Sequence, residues 1–357
     1  MPAPIARLTL HLLKVPLTHP YRLSFVTLDH VDALVVEAVD AEGRTGIGES
    51  TIQPGYTPET LDGAWDFAIA AAPGLVGLPA DEAGTRLAAI ADRSPNAASA
   101  LATAVATLGA PPLAETLRLP LLAPVHGEDA ATLPAEIAGL LARGYRTLKV
   151  KAGFDAVADR RRVDLIRAAV AGRATLRIDA NGGFSREQAL AFLDGFDPAG
   201  VELLEQPCAA ADWDGNAAVA ARSPVPVMLD ESIYGLAGID RAAALAGVGF
   251  VKLKLKKIGS PAQLRSALAR IRALGLTPVI GDGTGTDIAA WHEAVAAAGI
   301  VDTAGEMNGF LKTAVPLLTA GPRFADGFLE LAAGLSPVLN PEALSRTGVR
   351  RRVVDPP

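Results

Sequence analysis

The stretch Thr147–Gly153, TLKVKAG, sets two lysines one residue apart in a short apolar run that reads as a β-strand. Side chains of a strand alternate between its faces, so Lys149 and Lys151 point the same way. Two ammonium groups on one side of a buried strand repel and lose hydration, so that side must hold compensating charge. Working outward, short apolar strands alternate with Ala-rich helical stretches after Pro120: LLAPVH, TLKVKA, ATLRIDA, VELLEQP, PVMLDES, FVKLKL, TPVIGD and VDTAGE. From Lys151 the polar strand ends fall at Asp179, Glu205, Asp230, Lys254, Asp282 and Glu306, at spacings of 28, 26, 25, 24, 28 and 24 residues. Eight strands in units of that length predict a closed parallel β/α barrel rather than an open doubly wound sheet. No GxGxxG follows an early strand, which weakens a dinucleotide-binding reading.

Ahead of the barrel, Leu8–Leu17 and Val31–Glu49 are strand-like, with AEG as a hairpin turn, and helical periodicity runs from about Pro58 to Leu119. The expected division is an α+β module over 1–118, a barrel over 119–320, and a C-terminal segment over 321–357 that packs back on the first module. Half of the 357 residues are hydrophobic, ample for a large core. Lysine and arginine total 33 against 39 acids, a net charge of -6 with neither sign gathered into a long block. That argues against nucleic acid or an anionic membrane as a partner. The single cysteine, Cys208, excludes an intrachain disulfide; the N-terminus lacks a secretory pattern and no apolar run approaches ~20 residues. A soluble cytoplasmic protein is the expectation from composition.

Polar residues at the C-terminal ends of barrel strands converge on one mouth, where this architecture does its chemistry. Asp179, Glu205 and Asp230, from three successive strands, can surround a divalent cation. The lack of Cys and His at their level favours Mg²⁺ or Mn²⁺ over Zn²⁺. Taken singly, each carboxylate also reads as an exposed strand end or a helix N-cap. A neighbouring ammonium and a divalent cation would push Lys151 toward the neutral form, able to act as a base. Lys254 leaves the mouth from the opposite side, so the two lysines can serve opposite faces of one carbon. The structural alternative for Lys151 is an ion pair with Asp179.

KVK at 149–151, RIDANGGF at 177–184, LLEQP at 203–207, LDES at 229–232 and VKLKLKKIGS at 251–260 resemble the enolase superfamily, and within it the muconate-lactonizing subgroup. The resemblance spans nearly the whole chain, and it implies a small-molecule carboxylate substrate and a homo-oligomer. It implies an α+β capping domain on a (β/α)7β modified TIM barrel, Mg²⁺ on Asp179, Glu205 and Asp230, and acid/base lysines at Lys151 and Lys254. Lys149 would assist them, and Asn181 and Glu231 would stand behind the metal ligands. It also makes the loop around His19, Tyr21 and Arg22, and the loop Gln53–Tyr56, the lids. From residue chemistry, Arg22 could hold a distal anionic group and Tyr56 could stack on the substrate. Asp282, Glu306 and Asn308, at the last two strand ends, complete the expected substrate-facing set.

Three departures from the pattern stand out. Lys252 occupies a position where this subgroup usually carries Asn. The seventh strand ends IGDGTG without His, unlike the mandelate racemase subgroup. The eighth ends GEMNGFL, between the Asp-x-Asp of dipeptide epimerases and the Glu plus apolar pair of muconate cycloisomerases. The expected activity is a Mg²⁺-dependent isomerase that abstracts the α-proton of a carboxylate through an enediolate, as a racemase or epimerase of amino-acid derivatives or dipeptides. The alternatives are a muconate-type cycloisomerase or an o-succinylbenzoate synthase. Schiff-base chemistry would need a desolvated lysine away from metal ligands, and a pure binding module would be indifferent to metal.

Overall fold

Alternating apolar residues in the first three strands serve two cores at once. The structure, a computed structural model, describes residues 3–22, 27–53 and 59–356. Strands β1 (Ile5–Arg22), β2 (Thr27–Asp40) and β3 (Thr45–Ile52) form an antiparallel meander. On β2, Leu34, Val36 and Ala38 pack with helices α1 (Leu61–Ala71), α2 (Ala80–Ala88) and α3 (Pro95–Ala106), whereas Val31, Ala33 and Val35 join the barrel's core. A sheet buried on both faces thus ties two layers together. Gly46 and Gly48 let α3 lie close on β3: a Cβ there would meet Ala104 O at 2.1 Å and Ala100 O at 2.0 Å. The β2–β3 turn holds the expected AEG, with Asp40 accepting from the backbone N–H groups of Glu42 and Arg44. Helical structure ends earlier than the periodicity suggests, because Leu117–Pro120 is strand β4.

The barrel strands are β5 (Ala123–Val125), β6 (Thr147–Lys151), β7 (Thr175–Asp179), β8 (Val201–Glu205), β9 (Val227–Leu229), β10 (Val248–Leu253) and β11 (Thr277–Ile280). They pair in sequence order as one parallel sheet. Between them run α4 (Leu133–Ala142), α5 (Ala156–Val170), α6 (Arg186–Leu193), α7 (Trp213–Ala220), α8 (Gly235–Ala243), α9 (Leu255–Ile258) and α10 (Pro261–Ala273), with α11 (Asp287–Ala297) after β11. The eighth expected strand is a short closing segment instead of a regular strand. Glu306 N–H donates to Ile280 O at 2.9 Å on one side, while Gly305 exchanges hydrogen bonds with Pro120 O and Leu122 N at 2.8 and 2.9 Å on the other. Gly281 makes this approach possible: at φ +128°, a Cβ there would lie 2.5 Å from Met307 N. Fully buried Arg177 braces the closure, donating to Ala304 O at 2.6 Å and pairing with Glu202 at 2.8 Å.

The C-terminal stretch, irregular as sequence, is ordered by partners far away in the chain. Strands β12 (Arg323–Ala325) and β13 (Phe328–Leu331) make a small sheet with β4, α12 (Pro341–Thr347) follows, and β14 (Gly348–Val354) pairs antiparallel with β1. Among the described residues no helix is long and apolar enough to cross a membrane.

Candidate active site

Strand register builds the mouth. Lys151 lies beside Asp179 and Asp179 beside Glu205 in the parallel pairing of β6, β7 and β8, so their side chains leave the sheet at one level. Asp230 follows β9, Lys254 follows β10. Asp179, Glu205 and Asp230 are at most 1% exposed. The backbone just after two of these strands is left-handed, at Asn181 (φ 46°) and Gln206 (φ 38°). Asn181 N–H there donates to Asp179 Oδ1 at 2.9 Å, and the Gln206 side chain accepts from Asp230 N at 3.0 Å. Backbone of this kind persists where surrounding contacts over-determine it.

The compensation for the paired lysines is Asp179. Lys149 Nζ lies 2.9 Å and Lys151 Nζ 2.6 Å from the same Asp179 Oδ2. The ion pair considered as a structural alternative for Lys151 is therefore present. Lys149 also reaches Glu205 Oε2 at 3.2 Å and Glu306 Oε2 at 2.7 Å. Burial alone would lower the Lys149 ammonium, but Asp179, Glu205 and Glu306 overcome it and hold it well above its usual range. Lys151 donates further to Asn181 Oδ1 at 2.6 Å, and Asn181 Nδ2 donates to Glu231 Oε1 at 2.9 Å. Burial, then the nearby Asp230 and Asp179 charges, push the Glu231 carboxyl up. On the far side Lys254 Nζ stands 2.8 Å from Asp230 Oδ2, which outweighs its burial and raises it. Three strands, β7 to β9, separate the two flanking lysines.

Sequence reasoning underrated the charges behind the mouth. Lys252, 2% exposed, sits 3.1 Å from Glu205 Oε1 and 3.5 Å from Asp230 Oδ2, and also bonds Glu306 Oε2. Lys257 binds Asp230 through both its carboxylate and its carbonyl, each at 2.9 Å. Lys256 holds Asp282 at 2.6 Å, and its charge and that of Lys254 overcome the burial of that carboxylate and keep it below its usual range. For Lys252 the alternation in VKLKL was the available signal, since it shares a parity with Lys254; Lys256 and Lys257 lie on α9, where no period-2 pattern places them. Of the expected substrate-facing residues, Asp282 and Glu306 are thus ion-paired within the protein, and Asn308 Nδ2 donates to Leu122 O at 3.2 Å. His19 is exposed and Tyr21 half-buried. Tyr56 lies outside the described residues, as does the side chain of Arg22.

The donor set suits a hard divalent cation in kind, burial and charge. Its acceptors are all carboxylate oxygens, and among the described residues Glu205 Oε2, fully buried, accepts no hydrogen bond and has only the charge of Lys149 Nζ at 3.2 Å beside it. Ammonium groups now stand between the carboxylates, and among the described residues no three acids, histidines or cysteines converge on a common point as they stand. The cavity at this level holds about 50 Å³.

The family model described as enolase C-terminal domain-like matches residues 132–343. The chain is 30% identical over 282 residues to an L-Lys-D/L-Arg epimerase of Methylococcus capsulatus, covering 73% of this chain and 78% of that one. It is 30% identical over 270 residues to muconate cycloisomerase 1 of Pseudomonas putida, covering 70% and 71%. Among solved structures, muconate lactonizing enzyme from Pseudomonas fluorescens superposes with a TM-score of 0.85 at 24% identity, over 98% of this chain and all (100%) of that one.

Proposed function

The chain belongs to the enolase C-terminal domain-like family and is an isomerase of the enolase superfamily, and from that premise we propose that it abstracts the α-proton of a carboxylate substrate as a racemase or epimerase of amino-acid derivatives or dipeptides. One observation carries this reading: three buried carboxylates on adjacent strand ends are flanked by Lys151 at 2.6 Å from Asp179 and Lys254 at 2.8 Å from Asp230. Asp179, Glu205 and Asp230 are the residues to hold Mg²⁺ or Mn²⁺. If bound there, the ion would supply Lewis acidity toward the substrate carboxylate and would compete with Lys151 and Lys254 for the negative charge of Asp179 and Asp230.

The chain's own groups do the rest. One flanking lysine removes the α-proton, and the other returns a proton to the opposite face. Asn181 fixes the Lys151 ammonium through its amide oxygen, with Glu231 anchoring the amide nitrogen. Lys149, buried and positively charged, stabilises the enediolate that forms when the proton leaves. Both α-protons of an enantiomeric pair should exchange in D₂O with Mg²⁺ present, across a panel of N-acyl amino acids and dipeptides. Exchange on only one enantiomer would overturn the two-base reading in favour of a muconate-type cycloisomerase or o-succinylbenzoate synthase. That second reading has its own support in Glu306, whose ion pairs with Lys149 and Lys252 leave it poorly placed to hold a substrate ammonium.

A further inference from the structure

Charge around the mouth is balanced almost everywhere by partners within the protein. Asp282 is held by Lys256, and Glu306 by Lys149 and Lys252. The ammonium of half-buried Lys312 is different. Its contacts are Asn308 Oδ1 at 2.9 Å, Gly283 O at 2.5 Å and the face of the Tyr21 ring at 4.3 Å, all neutral. Among the described residues it makes no ion pair with a carboxylate. Lys312 borders the catalytic pocket, since Tyr21 and Gly283 line the same cavity as Lys151 and Lys254. At Gly283 the missing side chain keeps the wall open: a Cβ there would lie 3.3 Å from Lys312 Nζ and 3.2 Å from Glu306 Oε1. The backbone is pinned as well, with Lys312 O accepting from Thr18 N at 2.7 Å and Ala314 N donating to Pro16 O at 2.8 Å, which fixes this residue against the outer end of β1.

We propose that Lys312 is a specificity-determining residue that binds a second, distal carboxylate, making the preferred substrate a dianion. This rests on the α-proton reading and names its substrate class. A cation whose direct hydrogen bonds, among the described residues, all go to neutral acceptors at a partly dry rim gains most from an anionic ligand, and a cationic distal group would meet it with like charge. The neighbouring acid, Glu306, gives its Oε2 to Lys149 and Lys252 and makes no ion pair with Lys312.

The test is calorimetric binding, with Mg²⁺ present, of matched pairs that differ only in the distal group: N-succinylglycine against N-succinamoylglycine, and cis,cis-muconate against its monoamide. The wild-type protein should prefer the dianion in at least one pair by on the order of 10- to 100-fold, the range for a hydrogen bond to a charged group. Lys312→Met should collapse that preference toward unity, and Lys312→Arg should keep much of it. The pair that shows the preference separates acyl-amino-acid from diene substrates. Absence of a preference in both pairs, or its survival in Lys312→Met, overturns the proposal. α-Deuterium exchange on N-succinylglycine in D₂O is read in parallel. Exchange without a Lys312-dependent preference defeats this inference alone, whereas a Lys312-dependent preference without exchange or muconate turnover defeats the α-proton reading and leaves Lys312 as an anion site.

Discussion

Buried acids occur in two layers of this molecule and behave in opposite ways. In the mouth, Asp179, Asp230 and Glu306 are buried, yet lysine ammoniums outweigh the desolvation and hold their carboxyls below the usual range. One layer behind, Glu49 and Glu293 are equally buried but bonded to neutral donors. Glu49 accepts from Thr286 N and Ala289 N, each at 2.9 Å, at the start of α11; Glu293 accepts from Leu255 N at 2.9 Å and Asp282 N at 3.1 Å. Burial pushes them up to about 7 and about 8, with the Asp282 charge adding to the latter. Burial is the same in both layers, and the charge of the partner decides which acids stay ionised. The front layer keeps negative charge available for a cation, and the back layer latches backbone in place beside Lys254 and beneath the capping sheet.

Removing the cation is the strongest way to break this contrast. Excess chelator should abolish turnover, and Mg²⁺ or Mn²⁺ should restore it; undiminished activity in chelator would mean that the front-layer acids serve only their lysines. Replacing one flanking lysine is next. Lys151→Ala and Lys254→Ala should each lose ~10²- to 10⁴-fold in exchange on one enantiomer while retaining exchange on the other. Loss on the same enantiomer in both variants would place the two bases on one face.

Asp230→Asn sharpens the comparison in stability. The sequence alone predicts weaker metal binding and an intact barrel, but Asp230 neutralises Lys254, Lys257 and Lys252 at 2.8, 2.9 and 3.5 Å. Stripping the charge from one side of such a buried cluster costs ~3–5 kcal/mol, which denaturant unfolding of the metal-free protein would register. An unchanged midpoint would show that the lysines find other counter-charges.

Per pH unit, the smallest effect belongs to the back layer. Glu49 and Glu293 have folded values raised above the ordinary 4.5, so their contribution to stability is fully present below about pH 4.5 and lost as pH rises through about 7 and 8. Each contributes a slope of at most about 1.4 kcal/mol per pH unit across that window. Glu49→Gln or Glu293→Gln should flatten the fall in melting temperature between pH 5 and 8. A slope unchanged in both variants would assign that fall to other groups.

Sequence alone determined the repeat and which charged side chains stand at its strand ends. A β/α unit fixes its own length and sends the strand-end side chain to the same face each time, so Lys151, Asp179, Glu205, Asp230 and Lys254 were legible from local pattern. Tertiary structure decided what depends on partners distant in the chain. The eighth segment closes the barrel through a few hydrogen bonds, with Ile280, Pro120 and Leu122, rather than as a regular strand, and β14 is ordered by β1. Lys252 shares Glu306 with Lys149, across 54 and 157 residues of sequence, and Lys312 faces Tyr21 without a carboxylate ion pair among the described residues. Periodicity tells which face a side chain leaves from; only the assembled fold brings up the charge it meets there, and that charge sets both its ionisation and its use.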